Sequence, residues 1–163
     1  MRHTINGLIT LDGKKYIFQD GVGYTEGDRG CSFPEKYIWT QCSFPEGSLM
    51  LSVADIPLFG FHFVGIIGVI LLDNREYRIA TYLGARLVDV SKNTVLVKQG
   101  DCTLLIKLIE QNVQPLYAPE YGRMNRTIHE SAACKAYYWF SYKGETLCEF
   151  TSSRASFEYE VHR

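Results

Sequence analysis

The densest run of reactive side chains lies between Gly23 and Phe44, GYTEGDRGCSFPEKYIWTQCSF. It sets the carboxyl groups of Glu26, Asp28 and Glu35 and the guanidinium of Arg29 beside Tyr24, Phe33, Tyr37 and Trp39. A carboxylic acid held against aromatic faces loses hydration, which disfavours its charged form and raises its pKa. Such a group serves as a general acid near neutral pH, and Glu26 and Asp28 are the two candidates. Aromatic faces also stabilise a nearby cation, a role suited to Tyr24, Trp39 and, further along, Tyr82. The structural alternative is a loop tied down by an internal Arg29–carboxylate pair and Pro34, with the aromatics as core.

Other reactive residues form no recognisable set. His62 lies inside an apolar run and reads as a buried, hydrogen-bonded histidine. His129-Glu130 follows Arg126 but lacks the second histidine of a zincin helix. His3 and His162 sit near the termini and read as solvated. The five cysteines, Cys31, Cys42, Cys102, Cys134 and Cys148, are widely spaced with no CxxC pair, which argues against a zinc ribbon or thioredoxin-like site. They read as small, mostly buried hydrophobes in a reducing cytoplasm. With no P-loop and no GxGxxG, neither a nucleotide nor any other cofactor is expected, and no metal.

The elements that must hold these residues read as strands. The chain has 163 residues, which suits one domain over 1–163. Its net charge of −1 comes without a block of like charge, so there is no electrostatic footprint for nucleic acid. Aromatics at 13% favour pleated faces. Arg2 to Thr10 and Lys15 to Phe18 flank Asp12-Gly13, a hairpin signal. Further strands are expected at Tyr37 to Cys42, Ser48 to Ile56, Glu76 to Tyr82, Arg86 to Val90, Thr94 to Lys98 (after a turn at Ser91-Lys92-Asn93), Cys102 to Ile109, Ala132 to Tyr142, Glu145 to Thr151 and Ala155 to Val161. Gln19 to Pro34 and Gln114 to Gly122 read as loops, and Gly122 to Arg126 as a connection holding one helical turn.

The apolar run Phe59 to Leu72 is about 14 residues, shorter than the ~20 of a membrane helix. It contains Gly60, Gly65 and Gly68 and reads as a long buried strand or a bent pair. The N-terminus lacks the apolar stretch of a signal peptide. The fold class is therefore all-β: an antiparallel β-barrel or strongly curved sheet of about ten strands with little helix. A barrel with an apolar lumen would hold one lipophilic small molecule. Unless it closes, the first and last strands leave free edges, which invites a homodimer.

One stretch resembles the tocopherol cyclase family. The residues that carry the resemblance are Tyr24, Glu26, Gly30, Phe33, Pro34, Trp39 and Gln41-Cys42, in the pattern Y-x-E-x-x-x-G-x-x-F-P-x-x-x-x-W-x-Q-C. Weaker echoes follow at Tyr77 to Gly84, at Pro115 to Gly122, and at Glu130-Ser131 and Cys134. The resemblance implies a lipocalin-like barrel and acid-catalysed cyclisation of a prenylated quinol or similar isoprenoid. An acid protonates an alkene, the phenol oxygen closes onto the tertiary cation, and aromatic walls exclude water. On this view Glu26 or Asp28 is the proton donor, and Tyr24, Phe33, Trp39, Gln41, His62, Tyr82 and Glu130 face the substrate. Peripheral membrane contact to reach such a substrate is a further implication. The chain departs from the plant-type pattern at Arg29, where a Trp precedes the motif glycine. It matches the C-terminal part of a longer, two-domain family, so a missing N-terminal domain is also an expectation. The competing function is a non-catalytic lipid-binding barrel, which needs the apolar surface but not the carboxylates.

Overall fold

The computed structural model describes residues 2–27, 29–91 and 93–161. Asp28, Lys92 and His162 lie outside them. Twelve strands run in chain order: β1 (Arg2–Leu11), β2 (Lys14–Tyr24), β3 (Tyr37–Phe44), β4 (Gly47–Leu58), β5 (Phe61–Leu72), β6 (Arg75–Ala80), β7 (Arg86–Ser91), β8 (Thr94–Gln99), β9 (Cys102–Glu110), β10 (Gln114–Glu120), β11 (Arg123–Tyr142) and β12 (Glu145–Glu160). The only helical element among the described residues is a 3-10 turn, Thr81–Leu83. No helix of the described residues is long and apolar enough to cross a membrane.

Among the described residues β1 and β2 pair only with each other, around Asp12 and Gly13, both at positive φ as the tight turn requires. The other ten strands form one antiparallel sheet in the order β6-β5-β4-β3-β12-β11-β9-β8-β7, with β10 added to β11. Alternation explains which face each strand buries. On β3, Ile38, Thr40, Cys42 and Phe44 are buried, while Trp39, Gln41 and Ser43 are half-exposed. The buried set meets Leu49, Leu51, Ile70, Leu104, Ile106, Tyr138, Phe140 and Phe157 in a single core. Each fully buried side chain of this size contributes about 1.5–3 kcal/mol.

The sheet curls so far that its distant strands touch. Tyr77 on β6 meets Phe140 on β11 at 5.1 Å between ring centroids, although four strands separate them in the sheet. The edges β6 and β7 do not pair among the described residues, so the sheet is strongly curved rather than a closed barrel. One side chain spans the gap. Gln99 on β8 accepts the Ala80 N–H at 2.8 Å and donates to the Arg78 carbonyl at 2.8 Å, as a strand's peptide group would. Gln99→Leu is expected to cost about 1–2 kcal/mol, because it leaves those two groups of β6 unpaired. Urea unfolding measures the loss, and hydrogen exchange should show faster exchange at the Ala80 amide.

Several sequence expectations need correction. Gln114–Glu120 is a strand, not a loop; Pro115 and Pro119 are tolerated because β10 is an edge that pairs only with β11. Gly122 to Arg126 holds no helical turn, since β11 already begins at Arg123. The two final strands are one, β12, carried through a register shift near Ala155. β12 is also no edge: it lies between β3 and β11. The run Phe59 to Leu72 is buried on alternate residues only from Ile66 onward; Phe59 to Val64 are exposed. There β4 and β5 outrun their neighbours, because β3 pairs with β4 only to Ala54 and β6 with β5 only from Ile67.

Candidate active site on the outer face of the sheet

Residues directly opposite in antiparallel strands share a face. One such row crosses four strands: Glu130 on β11, Glu158 on β12, Trp39 on β3 and Ser52 on β4. It lies on the outer face, opposite the core. In the next row Ser156 stands beside Gln41, and in the row before, Glu160 beside Tyr37. Trp39 and Gln41 thus reach this face by the same alternation that buries Ile38 and Thr40.

Glu26 comes to this row from the segment that follows β2. Its carboxylate accepts the Trp39 indole N–H at 3.2 Å on Oε1 and 3.3 Å on Oε2, and it also accepts the Tyr24 hydroxyl. Three residues singled out in the sequence therefore form one cluster. Gln41 lies one row along on the same face, its Nε2 donating to Ser156 Oγ at 3.0 Å. The Gln41 Oε1 is buried without a hydrogen-bond donor among the described residues. Glu26 itself is exposed, so the dry environment expected for the acid is absent from the chain by itself.

Arg126 holds the segment; an Arg29–Asp28 pair lies outside the described residues. Arg126 is 7% exposed. Its Nη1 donates to the carbonyls of Phe33 and Pro34 at 3.3 and 2.6 Å, and its Nη2 to that of Glu35 at 2.9 Å. Its guanidinium also lies over the Tyr37 ring, 5.8 Å from the centroid. Backbone bonds from Phe33 N to Pro119 O and from Gly122 N to Cys31 O fasten the same segment to the β10–β11 turn. Phe33 packs edge-on against Tyr37 at 6.0 Å and so supports Tyr37. Tyr37 donates to Glu158. Burial first, then Glu158 and the charge of Glu160, push the Tyr37 pKa well up, with Arg126 pulling the other way, so this hydroxyl keeps its proton.

The remaining sequence candidates lie elsewhere. His62 is not a core residue. It sits on the projecting end of β5, 59% exposed, with Nδ1 3.0 Å from Asp55, because no strand among the described residues covers that end. Tyr82 stands on the 3-10 turn, 69% exposed. Neither joins the Glu26 cluster. Asp28 is outside the described residues. Sequence reading named Tyr37 without giving it a role and missed Ser156, Glu158 and Arg126. The last three carry no local signal, since only pairing over 91 to 121 residues brings them here.

The cysteines stand apart from this site. Cys42, Cys102 and Cys134 are buried, Cys148 is half-buried, and Cys31 is exposed. Burial raises the pKa of Cys134 and of Cys148 to about 11. In the unfolded chain thiols ionise near 8.5, so between about pH 8.5 and 11 the unfolded state sheds protons that the folded state keeps. Stability therefore falls as pH rises through that window. The urea midpoint measured from pH 8 to 11 should show this fall, and it should be flatter in Cys134→Ser/Cys148→Ser.

No family model, curated protein or solved structure matches the chain. Among the described residues no group of three or more His, Cys, Asp or Glu is placed to hold a metal.

Proposed function

We propose that the chain is a cyclase domain for a lipophilic isoprenoid, a prenylated quinol or a close analogue, with Glu26 as the acid. The observation that supports it most is the grip of Tyr24 and Trp39 on the Glu26 carboxylate, with all three residues drawn from the motif that resembles the tocopherol cyclase family. In the reaction, the Glu26 carboxylic acid adds its proton to a trisubstituted alkene. A tertiary cation forms, and the carboxylate left behind is met by two donors already aimed at it, so the negative charge develops where it is stabilised. The phenol oxygen then bonds to the cation, and its proton returns to Glu26. The substrate is isomerised and no co-reactant is consumed. The rings of Trp39 and Tyr24, next to the proton donor, would serve to stabilise the cation, and the bound substrate itself would supply the apolar cover that Glu26 lacks.

The test is conversion of a prenylated hydroquinone to its chromanol in D₂O. An acid of this kind exchanges with solvent, so each turnover should place one deuterium on the former alkene carbon. Chromanol formed without deuterium would reject protonation, and absence of chromanol would reject the cyclase. The second reading is non-catalytic lipid binding on the apolar part of the same outer face, where Ile67, in the Ser52 row, is 50% exposed. Its mark is binding of an apolar fluorophore that Glu26→Gln leaves unchanged. Binding in the apolar cleft between β3, β4 and β7 is disfavoured. The apolar cleft at the end of the core, lined by Ile38, Val53, Val64, Leu87, Val90 and Val161, is about 150 Å³, well under the ~300 Å³ of ordinary ligand sites.

A further inference from the structure

We propose that the projecting end of the β4–β5 hairpin docks into the interfacial zone of a lipid bilayer. Past Ala54 and Ile67 no strand pairs with this hairpin among the described residues, and its last flanking bonds run from Asp55 N to the Lys36 carbonyl and from Thr81 Oγ1 to the Val64 carbonyl. Its pairs are Leu58 with Phe61, Ile56 with Phe63, Pro57 with His62 and Asp55 with Val64. Because paired residues share a face, Ile56, Leu58, Phe61 and Phe63 form an apolar ladder on one side. Asp55 and His62 are bonded to each other on the opposite side. The hairpin end is thus amphipathic.

Exposure rises toward the apex. Phe63 is 44% exposed, Leu58 50%, Phe61 80% and Phe59 93%. Phe59 sits at φ +48 in the turn, with Gly60 at +83. A bulky side chain is held in an unfavourable backbone conformation and makes almost no contact within the chain. From Ile56 to Leu72 there is no Asp, Glu, Lys or Arg.

The shape and area favour a bilayer over a protein. The four exposed side chains present on the order of 500 Å² on a convex tip, below the roughly 800 Å² per partner that a stable protein interface needs. A bilayer accepts a narrow convex tip. Phe and Leu side chains on an amphipathic segment bury at the headgroup–acyl boundary, and water there hydrates the open backbone edges of β4 and β5, which hydrocarbon would not. The tip carries no Lys or Arg, so docking should not depend on anionic lipid.

The apolar ladder continues on the face that carries the active-site cluster. Ala54 and Gly65 form the next rung, opposite Tyr37, and Ser52 and Ile67 the one after, opposite Trp39. Two residues advance about 6.7 Å along a strand, so roughly 20 Å separates the Leu58 rung from Trp39. A bilayer-resident ligand entering at the tip would reach Glu26 along one face. That last step rests on the cyclase reading; the docking does not.

Sedimentation of the full chain with phosphatidylcholine vesicles tests it. The parent should partition to the vesicles. Phe59→Ser/Phe61→Ser should weaken partitioning roughly tenfold or more with the same unfolding midpoint, since both side chains are exposed. In Phe59→Trp, emission should shift to the blue on vesicle addition and be quenched by lipids brominated on the acyl chain. A parent that stays in the supernatant, a double variant that binds as well, or emission from Phe59→Trp that the brominated lipids leave unquenched overturns the proposal. A dimer without lipid binding, dissociated by the same double substitution, overturns it in favour of a second copy. Turnover of detergent-dispersed substrate should survive the tip substitutions, so loss of docking and loss of the cyclase reading are read separately.

Discussion

Glu26→Gln is expected to lower cyclisation by roughly 10²–10⁴, the usual contribution of a positioned general acid. The substitution is nearly isosteric. The amide oxygen still accepts the Trp39 N–H and the Tyr24 hydroxyl, so the cluster should persist while its transferable proton is gone. The unfolding midpoint should stay within about 0.5 kcal/mol of the parent, because Glu26 is exposed. Trp39→Phe keeps an aromatic face but removes the N–H aimed at the carboxylate, and it should cost about tenfold or more. Adding it to Glu26→Gln should cost little more, since both act on one proton transfer. Steady-state turnover of the prenylated hydroquinone is the measurement. If Glu26→Gln turns over like the parent, Glu26 is not the acid; Asp28→Asn and Glu130→Gln then show whether another expected carboxylate is.

Arg126→Met is expected to cost about 3–5 kcal/mol, the largest stability effect among the site residues. Met fills much of the same volume, but three carbonyls of residues 33–35 lose their donor together. Hydrogen bonds to a charged group contribute roughly 1.5–3 kcal/mol each and do not add fully. For a chain of this size that corresponds to a Tm lower by about 10 °C or more. The segment would keep its bonds from Phe33 to Pro119 and from Gly122 to Cys31, so the damage should be local. Trypsin should then cut after Arg29 or Lys36, both exposed, at a rate the parent does not approach. Turnover should fall as well, because the segment that carries Glu26 is no longer held against Trp39. Arg126→Lys should rescue only part, since a single ammonium cannot bridge three carbonyls from one plane. An unchanged Tm and cleavage rate would show that the segment is held without Arg126.

Much of the local structure is legible in the residues alone. Asp12-Gly13 specifies a hairpin because its turn needs positive φ. Alternation along Ile38 to Phe44 assigns one set of side chains to the core and the other to the face that carries Trp39 and Gln41. The spacing of Tyr24, Glu26 and Trp39 marks residues that do meet. These are short-range properties, set by backbone sterics and by the period of a strand. Where propensity and context disagree, context decides. Pro115 and Pro119 argue against a strand, yet β10 forms because an edge needs only one set of ladder bonds.

What local pattern does not contain is which strands become neighbours and how far each extends. Glu158 and Ser156 belong to the site only because β12 lies beside β3, and Arg126 only because β11 passes under the segment it clamps. Gln99 has no visible purpose until the curled sheet leaves β6 without a partner strand on its outer side. The same holds for His62 and Phe59: an apolar sequence reads as buried, but burial depends on whether neighbouring strands reach that far, and β3 and β6 stop short. Strands, turns and side-chain faces are written in the chain, because they follow from the nearest few residues. Register between strands far apart in the chain is set only when the sheet assembles, and with it come the rest of the site and the bare tip of the hairpin.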